Sequence, residues 1–418
     1  MKYDVIIVGG GASGLMAAWE FIQAGRKVLI VEARNRLGGR IHTHTNNTFT
    51  HPIELGAEFV HGDLPLTKML SERCGLKWIK SEGTLWHKHG KEWKEANIEI
   101  EAESAVIKAL KDLDSDITVA AFLESHFKED SETREEIKNY VEGYYAADVN
   151  KASSFALLEE LENGGSDDYK IEGGYGKLVD FLHQEIKIGG CEILLKTPVT
   201  EVIWKEKDAE VKSGLQTFRC SQVLITVPIG VLQAPAIQFN PTISLLQDSI
   251  NQLGFGTAIK ILLEFNTAFW EKDGREDLSM LFSDELIPTW WTQYPKQIPI
   301  LTGWVAGGMA KDLAHFDNDT ILEKALESLA AIFDMSLSDL KEQLKAVCIK
   351  NWYQEPFSIG AYSYSTINSD SVKAQIQPGI LKTIYFAGEG WYTGTELGTV
   401  EAALQSGRQT AHQMIADS

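Results

Sequence analysis

The opening of the chain runs strand, glycine turn, helix, strand, acid, and few folds accept that order. Residues 3–8 (YDVIIV) are a short apolar run of the kind a buried parallel strand needs. Gly9, Gly11 and Gly14 follow as G-x-G-x-x-G, and Ser13–Ala24 carry helical apolar spacing up to Gly25. A second strand, Lys27–Val31, delivers Glu32 to its end. The first glycine makes a tight turn, the second lets backbone approach a pyrophosphate, and the third permits close helix–strand packing. Ala12 and Ser13 open a helix whose free N–H groups suit phosphate, and Glu32, followed by Ala33, can bind both ribose hydroxyls. The pattern predicts a dinucleotide site without choosing the dinucleotide.

Composition narrows the setting. The 418 residues suit two or three domains, and a hydrophobic fraction of 44% is that of an ordinary globular protein. A net charge of −20 argues against nucleic acid and anionic membrane surfaces as partners, and it favours a cationic substrate. Cys74, Cys191, Cys220 and Cys348 are widely spaced and form no C-x-x-C, so neither structural zinc nor a disulfide framework is expected. The first strand begins at residue 3, no apolar run reaches membrane-spanning length, and the chain stops directly after a helix. The expectation is a cytoplasmic protein without a leader or membrane-anchoring tail. His42, His44 and His51 lie in a polar stretch with no carboxylate or cysteine at ligand spacing, so no metal is expected.

Further along, 64–75 has helical spacing, and 91–163 is rich in Glu and Lys with helical periodicity over 99–113 and 132–145. A helix follows Gly173-Gly174-Tyr175-Gly176. Strands are predicted at Glu192–Leu195, Val199–Trp204, Glu210–Lys212, Val223–Val227, 258–265, 279–282, 299–305 and Thr383–Ala387. Helices are predicted at 319–333, 337–345 and about Thr399 to Ala416. The fold class is α/β: a discontinuous Rossmann-like domain (1–83, 170–234, 378–418) with an inserted substrate domain of mixed sheet and helices (84–169, 235–377).

The segment after Glu32 selects the cofactor. Arg34 and then Arg36-Leu37-Gly38-Gly39-Arg40 set a second glycine pair and guanidinium groups beside the same pyrophosphate. This resembles the flavin amine oxidase superfamily, in motif detail the polyamine oxidases, and implies FAD. Four later blocks carry the resemblance. Glu54-Leu55-Gly56-Ala57-Glu58-Phe59-Val60-His61-Gly62 resembles a segment that passes the flavin and ends in a substrate-site histidine, here His61. Thr226–Leu232, with Ile237–Pro241, resembles the point where such chains leave the FAD domain. Gly256–Leu263 resembles the strand that presents a lysine toward flavin N5 through a water, here Lys260. A lysine in so apolar a strand is costly unless paired or used. Trp352, Pro356–Ser363, Ile384–Glu389 and Gly398–Ala403 resemble the flavin-side loop and second FAD signature.

The resemblance implies Gly9, Gly11, Ala12, Ser13, Gly14, Glu32, Ala33, Arg34, Gly39, Arg40, Gly56, Ala57, Glu58, Val199, Trp352, Gly388, Glu389, Thr399 and Val400 as FAD contacts. It implies Lys260, His61 and Tyr362 as the catalytic set. The amide of Val400 would face flavin N1 and O2, where reduction places negative charge. Ala361 stands where monoamine oxidases carry the flavin-bonding cysteine, so the FAD is expected to be noncovalent. Tyr362 matches one cage tyrosine, while Thr399 replaces the other. The expected reaction oxidises a neutral amine to an imine and reduces O2 to H2O2. Glu58, Asp63 and Glu172 are candidate anchors for a distal ammonium. The alternatives are an L-amino-acid oxidase, which needs an arginine clamp, and a flavin-binding protein without catalysis.

Overall fold

The computed structural model describes residues 2–62, 64–96, 103–163, 168–244 and 246–418. Its framework is a parallel sheet in the order Glu192–Leu194, Val28–Val31, Lys2–Val8, Gln216–Ile225, Ile384–Phe386. These short strands are apolar on both faces because both faces are covered. Val5, Ile7 and Ile30 point to a layer made by helices Ala12–Gln23, Gly176–Ile188 and Val400–Ala416. Ile6, Val8, Leu29 and Val31 point the other way, into a cluster with Val202, Val211, Ile384 and Trp391. Each such side chain contributes about 1.5–3 kcal/mol by leaving water.

A second sheet runs Leu344–Asn351, Ala258–Phe265, Ile300–Ala306, Thr289–Trp291, Leu278–Ser283, Thr84–His89, Glu92–Glu95. Thr84–His89 comes from the first insertion and pairs in parallel with Leu278–Ser283 of the second, so the two insertions build one sheet. Ala258–Phe265 is central and buried at every position. Helix Asn318–Phe333 covers one face. Helices Glu103–Lys111, Val119–His126, Ser131–Asn139 and Ser154–Asn163 form a separate apolar cluster.

Four local readings change. Glu92–Glu95 is a strand, not the start of a helical region, because Trp93 packs on Phe333 and lies under Arg275, 4.2 Å from its ring centre. The helix expected over 132–145 ends at Asn139 and continues as a π-helical turn, Tyr140–Tyr144. The helix expected over 337–345 stops at Gln343, and Leu344–Asn351 pairs with the central strand. Gln238–Asn240, beyond the expected crossing at 234, still pairs with Glu201–Lys205 of the first sheet. Of the helix expected over 99–113, residues 99–102 lie outside the described residues.

Candidate active site

The two glycine turns lock together before any ligand is considered. Gly38 N–H donates to Gly10 C=O at 2.8 Å. Glu32 is 4% exposed and accepts from Gly10 N–H at 2.7 Å and Arg34 N–H at 2.8 Å. Its carboxylate therefore orders both turns and keeps lone pairs for further donors. Thr197 N–H donates to Glu32 C=O at 2.9 Å, which sets Val199 close by. Arg36 donates to the carbonyls of Leu37, Gly39 and Ile41 and so braces the second turn from within. Gly14 is required by space, since a Cβ there would stand 2.1 Å from Gly9 C=O.

Several groups at this seam lack what a dinucleotide would supply. Ser13 Oγ and Arg34 Nε are buried with no partner. Helix Ala12–Gln23 has no side-chain cap, so its first N–H groups are free for an anion. A Cβ on Gly11 would meet only Gly39 Cα at 3.9 Å, and one on Gly388 only Trp391 at 3.8 Å. The backbone there borders an open cradle, and the residues fit FAD.

The C-terminal part closes the cradle. Arg40 donates to Glu389 at 2.6 Å and to Ala361 C=O at 2.8 Å. Glu389 also accepts from the N–H and hydroxyl of Ser363. Thr399 caps the last helix by accepting from Ala402 N–H, and Val400 N–H, first in that helix, has no intrahelical acceptor. Ala57 N–H donates to Arg40 C=O at 3.2 Å, and Trp352 Nε1 donates to Leu55 C=O at 2.9 Å. Gly56 sits where a Cβ would be 1.8 Å from Arg40 C=O.

Beside the cradle, aromatic rings form a closed circuit. His61 contacts Phe59 at 5.8 Å between centroids, Phe59 contacts Trp291 at 5.6 Å, and Trp291 contacts Trp304 at 6.2 Å. Trp304 lies parallel to Tyr362 at 6.4 Å. Tyr362 donates its hydroxyl to Tyr144 C=O, and Tyr144 contacts His61 at 6.0 Å. The π-helical turn is the clasp: Gly143 C=O accepts from Trp304 Nε1 at 2.9 Å, one residue before the carbonyl that holds Tyr362. Such turns recur at functional sites. The three predicted catalytic residues are thus brought to one place. Phe59, Tyr144, Trp291 and Trp304 were not predicted; they come from four separate segments, and only strand register puts Trp304 opposite Lys260.

Lys260 is 1% exposed and paired. Its Nζ donates to Glu58 at 2.6 Å and to Gly56 C=O at 3.2 Å, and it lies 5.3 Å over the Trp291 ring. The other Glu58 oxygen takes Lys170 at 2.9 Å and Trp291 Nε1 at 3.0 Å. Burial alone raises the Glu58 carboxyl, but Lys170 and Lys260 outweigh it and hold it at about 2. Two of the expected ammonium anchors are thereby corrected. Glu58 is buried and both its oxygens are already engaged, by Lys260 on one and by Lys170 and Trp291 on the other. Glu172 is exposed and lies four residues along the extended chain from Asp168, the residue opposite His61. Asp63 lies outside the described residues. The acids that do face the circuit are Asp168, 2.6 Å from His61 Nδ1, and Glu160, bonded to the Tyr145 hydroxyl.

Glu54 supplies a pH-dependent term. One oxygen accepts from Thr43 Oγ1 and Tyr175 N–H, both at 2.7 Å, while the other is buried without a partner. Burial pushes its carboxyl up to about 7. A raised carboxyl favours the protonated fold, so its stabilising contribution is complete below about 4.5 and lost as pH rises through 7. Glu54→Gln should match the parent in urea denaturation at low pH and exceed it by about 1–3 kcal/mol above pH 7. Equal stability at both ends would mean that the carboxyl does not titrate in the fold.

Comparison with known proteins agrees with this geometry. Residues 12–415 match the family model for flavin-containing amine oxidoreductases, and the chain belongs to that family. It is an FAD-dependent oxidoreductase acting on amines. It is similar to polyamine oxidase 2 of Arabidopsis thaliana, at 27% identity over 98% of this chain and 87% of that one. It is also similar to lysine-specific histone demethylase 1 homolog 2 of the same plant, at 26% identity over 99% of this chain but 58% of that protein. Among solved structures, cyclohexylamine oxidase from Brevibacterium oxydans IH-35A superposes with a TM-score of 0.82 at 20% identity, covering 100% of this chain and 99% of that one. A putrescine oxidase bound to putrescine gives 0.82 at 21% identity, with the same coverage of each chain.

Proposed function

We propose that the amine is an aliphatic diamine or polyamine, with O2 as electron acceptor and H2O2 as product. The observation that carries this is the acidic side of the aromatic circuit. Asp168 on His61, with Glu160 behind Tyr145, provides carboxylates for a second ammonium while the reacting nitrogen lies by Trp304 and Tyr362. The relatives named polyamine oxidase and putrescine oxidase support the same reading. An L-amino-acid oxidase fits less well. Arg34 is engaged by Ser358 and Glu355, Arg40 by Glu389 and Ala361, and Lys170 and Lys260 by Glu58. None of these cations is free to clamp a carboxylate.

Bound FAD supplies the two-electron acceptor. Lys260, His61 and Tyr362 make the catalytic set. Tyr362 and Trp304 orient the amine, His61 and Asp168 hold its far end, and Lys260 keeps a positive charge beside the site of oxygen reduction. The amine must be neutral at the reacting nitrogen, so the rate rises with pH. Asp168→Asn should raise KM for putrescine and spermidine about tenfold, worth about 1.4 kcal/mol, and leave benzylamine unchanged. Equal losses for all three amines would remove the second-ammonium reading.

The cofactor contacts are those of the two glycine turns, Gly56–Ala57–Glu58, Val199, Trp352, Gly388–Glu389 and Thr399–Val400. The division at 1–83, 170–234 and 378–418 against 84–169 and 235–377 is supported by the sheet that both insertions share. The FAD is held without a covalent bond: Ala361 offers only its backbone, which bonds Gly256 C=O and Arg40. Acid precipitation should leave yellow FAD in the supernatant, and colour retained by the pellet would overturn the assignment. Among the described residues no helix is long and apolar enough to cross a membrane. The four cysteines remain thiols, which supports a reducing cytoplasm.

A further inference from the structure

We propose that Glu58 and Lys170 are positioning residues for Lys260. One carboxylate oxygen pins the Lys260 ammonium, the other takes Lys170, and the triad fixes both the direction and the charge that Lys260 presents to the flavin side. This rests on the reading of Lys260 given above. An ammonium has three N–H donors, and Lys260 spends two, on Glu58 and on Gly56 C=O, so one remains to point elsewhere. Packing alone does not satisfy a buried ammonium, and a buried charge persists only when paired.

The second lysine makes the arrangement more than an ion pair. Lys170 is itself held by Thr292 C=O at 3.3 Å and lies 4.8 Å over the Phe59 ring, so it approaches Glu58 on a fixed path. Glu54, Glu58 and Lys170 line a cavity of about 120 Å³ that also touches Lys80, Ser81 and Gln293–Lys296. Lys260 does not line it. Glu58 and Lys170 therefore stand between a polar recess and the buried ammonium. The other groups facing Lys260 are the Trp291 ring, Trp304 across one strand, Lys350 across the other, the last paired to Glu355, and Glu54, whose carboxyl is close enough for its charge to interact with the ammonium. Two ammonium groups sharing one carboxylate are stable together only while that carboxylate is charged. Glu58→Gln would leave two like charges against a neutral amide, and one of them would give up its proton more readily.

The test uses holoenzyme labelled with 15N in lysine, reduced chemically so that no amine substrate is needed. In Glu58→Gln, one lysine Nζ signal should titrate about one pH unit or more below its position in the parent. Reoxidation of the reduced enzyme by O2 should fall about tenfold as pH rises through the same window. Adding Lys170→Met to Glu58→Gln should recover part of both profiles, because the like charge is gone while the buried Lys260 ammonium still lacks a carboxylate. A merely structural role for Glu58 would change yield or melting without moving these titrations. If Glu58→Gln fails to fold, Lys170→Met alone decides: the Glu58 carboxyl 13C titration should move up, and the Lys260 Nζ signal and the O2 reaction should both change from the parent. Titrations that superimpose on the parent, or no restoration by Lys170→Met, would overturn the proposal. Failure of every amine to reduce the flavin would count against the functional reading and leave this result standing.

Discussion

Lys260→Met is expected to slow reoxidation of the reduced flavin by O2 about a hundredfold, the scale of losing one preorganised charged donor. Oxygen gains negative charge with its first electron, and the Lys260 ammonium is a buried cation at the aromatic circuit. Amine oxidation develops no comparable anion there, so its rate should change little. The variant should fold, because Glu58 keeps Lys170 and Trp291 as partners. Stopped-flow measurement of both half-reactions is the check. Equal slowing of both would assign Lys260 a structural role, and an unchanged oxygen reaction would remove it from the mechanism.

Arg40→Met should cost about 3–5 kcal/mol of stability and abolish retention of FAD through purification. Glu389 is 4% exposed, and Arg40 is the cation bonded to it. Removing the guanidinium strands that carboxylate with only the two donors of Ser363. It also frees Ala361 C=O and the loop that leads to Tyr362. Adding Glu389→Gln should recover part of the stability, since the stranded charge disappears, without recovering flavin binding. Flavin-to-protein ratio and urea denaturation of the single and double variants test this. A single variant that purifies yellow with unchanged stability would contradict it.

The parts of the fold legible in the sequence are those written in local pattern. The glycine turns, Glu32 and the flanking strands follow from backbone geometry over a few residues, and the structure assembles them as one seam. Lys260 was legible as an anomaly, a charge in the middle of AIKILLEF. What stayed hidden depends on residues far apart in the chain. Glu58 and Lys260 are 202 positions apart, and neither spacing nor periodicity announces their bond. The aromatic circuit joins residues from five separate segments. The π-helical turn differs from an α-helix by one residue per bond, too small a change for periodicity to register. Glu92–Glu95 and Leu344–Asn351 were masked by helix-forming charges and decided by pairing with neighbours already in place.

This site moves electrons from an amine to FAD. The most direct test is to mix the purified yellow protein anaerobically with putrescine, spermidine, benzylamine and an L-amino acid in separate cells and follow flavin absorbance. Bleaching by the diamine and polyamine within seconds to minutes, with full recovery of colour and formation of H2O2 on admitting air, is the predicted result. A flavin that stays yellow with every amine, yet bleaches with dithionite, would contradict it.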